Sequence, residues 1–358
     1  MLLRSLLFLL LGFVSATVLP AATPDDTARF LAGLPVRGTA LDEWSRSLAW
    51  AEHATEFDKA WQKLEARQLS KIREWGPEFL GEDYRARSPV FYFFSGPDIL
   101  YAQAFFPNAA TYVLAGLEPV GTPPDVTRLP PEALAAALGN LRKSLNSVLS
   151  WSFFITKDMK VDLTQQQLSG TLPVLYVFLA RAGCRIDRVE LVTLDKTGAL
   201  APAKGGTPGV RILFSGPTGA PQMLYYFTSD LSNEGIRSQG FTKFCAQLGE
   251  GRSLVKAASY LMHIGAFSSA RDFLLTHCTT ILQDDSGIPV KDLPPWNWAV
   301  RYFGSYPGPI DLFKQHAQPD LAAIYAKSNP PPLPFGFGYQ WQPARSSLML
   351  VTRRGGAR

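Results

Sequence analysis

The spacing of apolar residues changes sharply within residues 89–120, and this stretch anchors the predicted fold. Val90 to Phe94 is a short, almost unbroken apolar run, which is typical of a strand covered on both faces. Ile99 to Phe106 follows with a helical pattern, and Thr111 to Leu117 is again strand-like. The pattern therefore predicts a strand, a short helix and a second strand.

Polar residues occupy the points where these two strands end. Ser95-Gly96-Pro97-Asp98 follows the first strand, with Pro97 near the first helical position, and Glu118-Pro119 follows the second. In an open α/β sheet, ligands bind at the edge formed by the carboxyl ends of the strands. We therefore expect Ser95, Asp98 and Glu118 to lie at a ligand-binding edge.

Helical periodicity dominates the flanking regions. Apolar residues recur at steps of three and four from Leu41 to Trp75, a pattern broken at most once. Further helices are predicted at Pro131–Trp151, Leu163–Gly183, Phe241–Leu248, Ser253–Ile264, Ser268–Gln283 and Pro309–Lys327.

The remaining strand-like runs complete the predicted sheet. Three of them form an antiparallel meander, and two lie near the carboxyl end: Arg185–Leu194, Val210–Phe214, Gln222–Phe227, Trp296–Tyr302 and Ser346–Thr352. Ser152 to Val161 is ambiguous. These elements predict an α/β protein with a mixed β-sheet, helices packed around it and a helix-rich N-terminal region. We expect a single domain over residues 23–358, with a lobe boundary near 121–131 as the alternative.

The proline-rich segment Asn329 to Gly338 cannot be regular secondary structure. Phe335 and Phe337 could tuck onto the body of the protein, which favours a surface strap. The alternative is a polyproline II segment offered to a partner.

The first residues resemble an export signal. Arg4 is followed by the apolar run Leu6 to Val14, which is shorter than the roughly 20 residues of a membrane span, and by Val14-Ser15-Ala16. We expect cleavage after Ala16, with Ala21 or Ala22 as the alternatives, and a periplasmic or secreted mature protein. The other interpretation of this run is a membrane anchor that is kept. Export removes the chain from cytosolic nucleotide cofactors, so no cofactor is predicted.

Composition narrows the choice of partner. The 358 residues are 46% apolar, and the net charge of +5 is spread thinly along the chain. A nucleic-acid site would need a basic patch with interleaved aromatics, so no nucleic-acid partner is expected. No membrane span is expected in the mature chain. The predicted partner is a small molecule or an envelope protein.

Three cysteines, Cys184, Cys245 and Cys278, are present. In an oxidising compartment one pair could close, and Cys245 with Cys278 is the favoured choice. The alternative is three buried thiols that act as small apolar groups. The four histidines are scattered, so no metal site is predicted.

The best catalytic candidates lie on the predicted helix Ser253–Ile264. Lys256, Ser259 and His263 are three and four residues apart, so a helix would place them on one face. A serine beside a lysine or histidine is a plausible nucleophile. The simpler interpretation is a solvent-facing polar stripe.

Asp284 and Asp285 are adjacent carboxylates that could hold a divalent ion or a ligand, or serve in acid–base chemistry. Aspartates before Ser-Gly are also typical of a tight turn, and the turn is the favoured interpretation.

These patterns lead to two functional hypotheses. The first is a non-catalytic envelope protein that binds a ligand or partner at the edge formed by Ser95, Asp98 and Glu118. The second is a cofactor-independent hydrolase whose nucleophile is Ser259 or Ser95, aided by Lys256, His263 or the Asp284-Asp285 pair.

Overall fold

The computed structural model of the chain describes residues 20–151, 168–202 and 205–355. Its strands are β1 (Val90–Tyr92), β2 (Thr111–Gly116), β3 (Arg185–Leu194), β4 (Leu200–Pro202), β5 (Thr207–Ser215), β6 (Pro221–Thr228), β7 (Gly251–Val255), β8 (Cys278–Gln283), β9 (Trp298–Gly304) and β10 (Ser347–Arg353). Its α-helices are α1 (Pro24–Leu31), α2 (Leu48–Leu64), α3 (Ser70–Phe79), α4 (Glu82–Arg85), α5 (Ile99–Phe105), α6 (Pro131–Trp151), α7 (Leu172–Arg181), α8 (Asn233–Ser238), α9 (Phe241–Gln247), α10 (Ser268–His277) and α11 (Pro319–Ser328). The predicted leader and the predictions for residues 152–167 lie outside the described residues.

The strands form one mixed sheet in the order β4-β3-β5-β6-β2-β1-β7-β8-β10-β9. The central strands β6, β2, β1, β7 and β8 run parallel, and the flanking strands pair antiparallel. The predicted α/β class with a mixed sheet is confirmed. Strands from before and after residues 121–131 belong to the same sheet.

The chain changes direction across the sheet at β1. It leaves β1 through α5 to β2 on one side, continues to β6, and then returns to β7 on the other side of β1. The gap between the carboxyl ends of β1 and β7 is therefore a topological switch point, where open α/β sheets usually bind ligands.

Helices cover both faces of the central strands. Along β2, Tyr112 and Leu114 pack into one apolar cluster, whereas Val113 and Ala115 pack into a second cluster on the opposite face. Burial on both faces explains why the central strands are continuous apolar runs in the sequence. Among the described residues, no helix is long and apolar enough to cross a membrane.

Two helix predictions near the carboxyl end are wrong. The first three residues of the predicted helix Ser253–Ile264 belong to β7 (Gly251–Val255), which pairs with β1 and β8. The predicted helix Ser268–Gln283 ends at His277, and β8 begins at Cys278. Short apolar runs fit either period, and pairing with neighbouring strands decides the outcome.

Two further predictions were tested by packing. Phe335 and Phe337 are 0% and 1% exposed, so the strap interpretation of residues 329–338 is confirmed. Cys184, Cys245 and Cys278 are buried free thiols. The predicted Cys245–Cys278 disulfide is therefore wrong, and the alternative of buried thiols is confirmed.

Candidate functional site

A crevice of about 330 Å³ opens at the switch point. The turns after β1 and β7 form two of its walls, and the segments after β2 and β6 form the others. Its lining residues are Phe94, Gly96, Gly116, Leu117, Glu118, Ser229, Asp230, Leu231, Ala257, Ala258, Ser259, Leu261 and Phe267. A volume at the lower end of the usual range for ligand pockets suits one small molecule.

Backbone strain is concentrated at this crevice. Five non-glycine residues of the described chain have positive φ; one of them, Asn329, follows the last residue of α11. The other four are Phe94 (58°), Ala257 (52°), Ser259 (52°) and Tyr260 (53°), all in the turns after β1 and β7. Each left-handed non-glycine residue costs roughly 1–2 kcal/mol, and such strain persists where surrounding structure enforces it. The two turns are therefore held in a definite shape.

Side chains from other elements hold the turn after β7. The backbone N–H of Ala257 donates to Asp284 Oδ2 at 3.0 Å, and that of Ala258 donates to Ser286 Oγ at 2.7 Å. The N–H of Ser259 donates to the Tyr339 hydroxyl at 3.1 Å. Three successive N–H groups are thus fixed by side chains, which explains how the strained conformation is maintained.

Asp284 and Asp285 serve different partners. Asp284 Oδ1 accepts from the backbone N–H of Ser286 at 3.1 Å, which is the turn that the sequence favoured. Asp285 Oδ2 accepts from the Tyr260 hydroxyl at 2.5 Å, and its Oδ1 lies 3.3 Å from Ser347 Oγ. Burial, with Asp285 as the next cause, raises the pKa of Asp284 to about 7, and burial also raises that of Asp285. Both carboxyl groups thus bond to the turn after β7 and stabilise this wall of the crevice.

Asp98 and Lys256 form a buried ion pair beneath the crevice. Lys256 Nζ lies 2.8 Å from Asp98 Oδ2 and 3.4 Å from the centre of the Tyr101 ring. Asp98 also accepts from the Tyr92 hydroxyl at 2.9 Å and caps α5 through the N–H of Tyr101 at 3.2 Å. Burial raises the pKa of Asp98, although Lys256 opposes it. Burial likewise lowers the pKa of Lys256 against the pull of Asp98.

Of the three residues predicted at the edge, Glu118 lines the crevice. A Cβ atom on Gly116 would lie 2.3 Å from Glu118 Oε2 and 2.9 Å from Gly96 Cα, so a larger residue here would displace the carboxyl group and press on the turn after β1. The Tyr226 hydroxyl donates to the Glu118 backbone carbonyl at 2.9 Å. Ser95 Oγ instead donates to the Gly96 carbonyl at 2.8 Å, so the hydroxyl group of this serine stabilises the turn after β1.

The predicted catalytic group is not assembled. Ser259 Oγ lies 3.0 Å from the Tyr339 hydroxyl, which itself donates to the Ala257 carbonyl at 2.9 Å. Burial raises the pKa of Tyr339 to about 12, so this phenol is no base at neutral pH. Because β7 ends at Val255 and residues 256–260 form a turn before a short 3-10 helix at Leu261–His263, Ser259, Lys256 and His263 do not share a helical face.

His263 lies on a second cavity of about 310 Å³, which His316 also lines. Its ring packs edge-on against Tyr260, with the centroids 5.2 Å apart. Burial, followed by the nearby His316, lowers the pKa of His263 to about 4, so the ring is neutral at physiological pH. Within the part of the chain that the structure describes, no group of three or more His, Cys, Asp or Glu could hold a metal ion.

Sequence reasoning missed the crevice residues that contribute only backbone shape or distant contacts. Ala257 carries no chemical signal, and its positive φ follows from bonds to the segment after β8. Tyr339 lies 80 residues from Ser259 in the chain, beyond the reach of any local pattern. Only the polar positions at strand ends could be found in advance.

Comparison of the chain with family models, curated proteins and solved structures found no match.

Proposed function

We propose that this chain is a non-catalytic binding protein whose ligand is a small organic molecule held in the crevice between the turns after β1 and β7. One observation carries the proposal: the crevice coincides with the switch point of the parallel strands, and three strained non-glycine residues, Phe94, Ala257 and Ser259, line it. Strain of this kind clusters at ligand sites because it pre-organises them.

The hydrogen bonds of the candidate nucleophiles favour binding over hydrolysis. A serine nucleophile needs a base within hydrogen-bond reach. Among the described residues, Ser95 Oγ contacts only backbone carbonyls, and Ser259 Oγ contacts only a tyrosine hydroxyl. Lys256, the nearest amine in the sequence, is buried against Asp98.

The compartment forms part of the proposal. The leader pattern in residues 1–16 supports export, followed by work in the periplasm or outside the cell. Mass spectrometry of the protein from an envelope extract is expected to show a chain beginning at Thr17, or as late as Thr23. Recovery of the intact chain, Met1 included, from the cytosol alone would contradict export.

Binding is tested by thermal unfolding in the presence of a panel of water-soluble metabolites. Leu261→Trp fills the crevice, and Leu312→Trp is the matched control, since Leu312 is 73% exposed and does not line it. A ligand at a hundred times its Kd stabilises the folded chain by about 2.7 kcal/mol. We expect at least one compound to stabilise the wild type and Leu312→Trp but not Leu261→Trp.

Two results would count against the proposal. Equal stabilisation of the Leu261→Trp variant would place the ligand elsewhere on the protein. Turnover of a panel ester that Ser259→Ala abolishes would favour the hydrolase hypothesis instead.

A further inference from the structure

We propose that the ligand of the crevice is an uncharged, largely apolar molecule, with the dimensions of an aromatic ring that carries a short chain. The inference rests on the proposed binding function and names the chemical class of its ligand. It is drawn from the crevice wall: the pairing of its polar groups within the protein, its apolar side chains and its size.

The hydroxyl groups on the wall have partners within the protein. Ser229 is 2% exposed, and its Oγ donates to Gln239 Oε1 at 2.6 Å. Ser259 Oγ lies 3.0 Å from the Tyr339 hydroxyl. A ligand that offered these serines a hydrogen bond would have to replace one that already exists, so the net gain would be small.

The two carboxyl groups on the wall are also engaged. Glu118 is 2% exposed, and its Oε2 lies 3.3 Å from the Tyr226 hydroxyl. Asp230 Oδ1 accepts from the backbone N–H of Ser232 at 2.8 Å, and Oδ2 accepts from Ser232 Oγ at 2.9 Å. Asp230 is exposed, so water hydrates its charge. A cation would therefore lose its own hydration for carboxyl groups that already have partners.

Donors for an anion are occupied as well. The backbone N–H groups of Ala257, Ala258 and Ser259 donate to the side chains that hold the turn after β7. No lysine, arginine or histidine is among the described lining residues of the crevice. Because an ion that leaves water without gaining a partner is penalised heavily, the wall favours an uncharged ligand.

Apolar side chains form the rest of the wall. Phe94 has φ 58°, a costly conformation for a bulky residue, and its ring meets that of Phe267 edge-to-face with the centroids 5.8 Å apart. Leu231 and Leu261 add aliphatic surface. Leu117 also lines the crevice and is 52% exposed. A strained backbone thus holds an aromatic ring at the crevice, and a ligand that covers Leu117 would remove apolar surface from water.

The size of the crevice determines the probes. Its volume of about 330 Å³ suits an aromatic ring with a short chain. The uncharged probes are benzyl alcohol, phenylethanol and phenylpropanol, which differ by single CH₂ groups. The charged analogues of the longest are phenylpropylamine, a cation at neutral pH, and phenylpropanoate, an anion. Binding is measured by calorimetric titration at low and high ionic strength.

We expect each added CH₂ group of the alcohols to tighten binding by up to about fourfold, which is the ratio of Kd values that corresponds to about 0.8 kcal/mol for a buried CH₂ group. Phenylpropanol is expected to bind at least about tenfold more tightly than either charged analogue, because the ions lose hydration without compensation. High salt is expected to change the Kd of the alcohols by less than about twofold, since no charge is involved.

A pair of variants tests the apolar contact. Leu117→Ser is expected to weaken phenylpropanol binding by roughly three- to tenfold, because the ligand then covers less apolar surface. Leu117 is half-exposed in the free protein, so its replacement is expected to leave the fold intact. Leu312→Ser is the matched control, at a leucine that is 73% exposed and outside the crevice, and is expected to bind as the wild type does. Equal affinity of the two variants would overturn the apolar contact.

The outcomes separate the two proposals. Binding of either ion as tight as that of phenylpropanol, abolished in Leu261→Trp, would overturn the uncharged class and leave the crevice as a ligand site. No binding of any alcohol, or equal affinity along the alcohol series, would overturn the class as well. Undiminished binding of phenylpropanol by Leu261→Trp would overturn both the class and the site.

Discussion

Asp284 links the protonation of one residue to the shape of the crevice. Its carboxyl group accepts hydrogen bonds from the N–H groups of Ala257 and Ser286, while Asp285 is adjacent in the chain. Burial and the neighbouring carboxylate raise its pKa from 3.8 to about 7. The same carboxyl group that fixes a crevice wall therefore titrates near neutral pH.

The stability of the protein is expected to depend on pH through Asp284. Between about pH 4 and pH 7 the folded chain retains a proton that the unfolded chain has lost. The free energy of unfolding due to this group is therefore greatest below pH 4 and falls as the pH rises through 7. Relative to Asp284→Asn, the wild type is expected to lose on the order of 2 kcal/mol between pH 5 and pH 8 in urea unfolding.

Asp272→Asn serves as the control for this pH effect, because the Asp272 side chain is 66% exposed. Its unfolding free energy is expected to follow that of the wild type at every pH. The buried histidines are present in all three chains, so the difference between the wild type and Asp284→Asn reports the adjacent carboxyl groups of Asp284 and Asp285. A wild type and an Asp284→Asn variant with parallel pH profiles would show that Asp284 is not the titrating group.

At the scale of elements, the unit β1-α5-β2 and the unit β7-turn-β8 differ in how well local sequence specifies them. The first was predicted within a few residues, although α5 begins at Ile99 with Asp98 as its cap and Pro97 stays outside it. The second was predicted as helix. The turn after β7 depends on bonds from Asp284, Ser286 and Tyr339, so its strained shape belongs to the assembled sheet.

Relief of the strain in this turn is expected to stabilise the protein. Ala257→Gly removes the Cβ penalty at φ 52°, while glycine adds entropy to the unfolded chain, so the net gain is roughly 0.5–1 kcal/mol. Ala258→Gly is the matched control, since Ala258 is buried and its φ is not positive. Urea unfolding should show a gain for the first variant and a loss of about 1 kcal/mol or more for the second.

A loss of stability in Ala257→Gly equal to that in Ala258→Gly would mean that the turn is not strained. Because glycine also loosens the turn, the Ala257→Gly variant is expected to bind crevice ligands more weakly despite its greater stability.

At the scale of the whole molecule, the strap of residues 329–338 and Tyr339 connect the N-terminal helices to the crevice. Phe335 packs edge-on against Trp75 at 5.7 Å and Phe105 at 5.8 Å. The N–H of Gly336 donates to Gln68 Oε1 at 2.9 Å, and Tyr339 reaches Ser259. A segment without regular structure thus spans from the core of one face to the ligand site.

Removal of the strap's anchor is expected to destabilise the molecule strongly. Phe335→Ala creates a cavity among buried rings and is expected to cost about 3–5 kcal/mol in chemical unfolding. Leu312→Ala, at a side chain that is 73% exposed, is expected to change stability by less than about 0.5 kcal/mol. A cost below about 1 kcal/mol for Phe335→Ala would contradict a core role for the strap.

The sequence by itself determined the features that depend on neighbouring residues. Apolar runs and periodicity established the α/β class, the strands β1 and β2, the helix between them and the buried phenylalanines of the strap. The polar positions at strand ends identified Glu118 as a residue of the crevice, because parallel strands bring their carboxyl ends to one edge of the sheet.

Only the tertiary structure decided which of these groups face a ligand. Ser95 and Asp98 lie at the predicted edge, yet both form hydrogen bonds within the protein and not with a ligand. Lys256 forms an ion pair with Asp98. The positive φ of Ala257 and Ser259 arises from partners that lie 27 and 80 residues away in the chain. Contacts of this separation exist only after the sheet has formed, because strand pairing brings together turns that local sequence leaves independent.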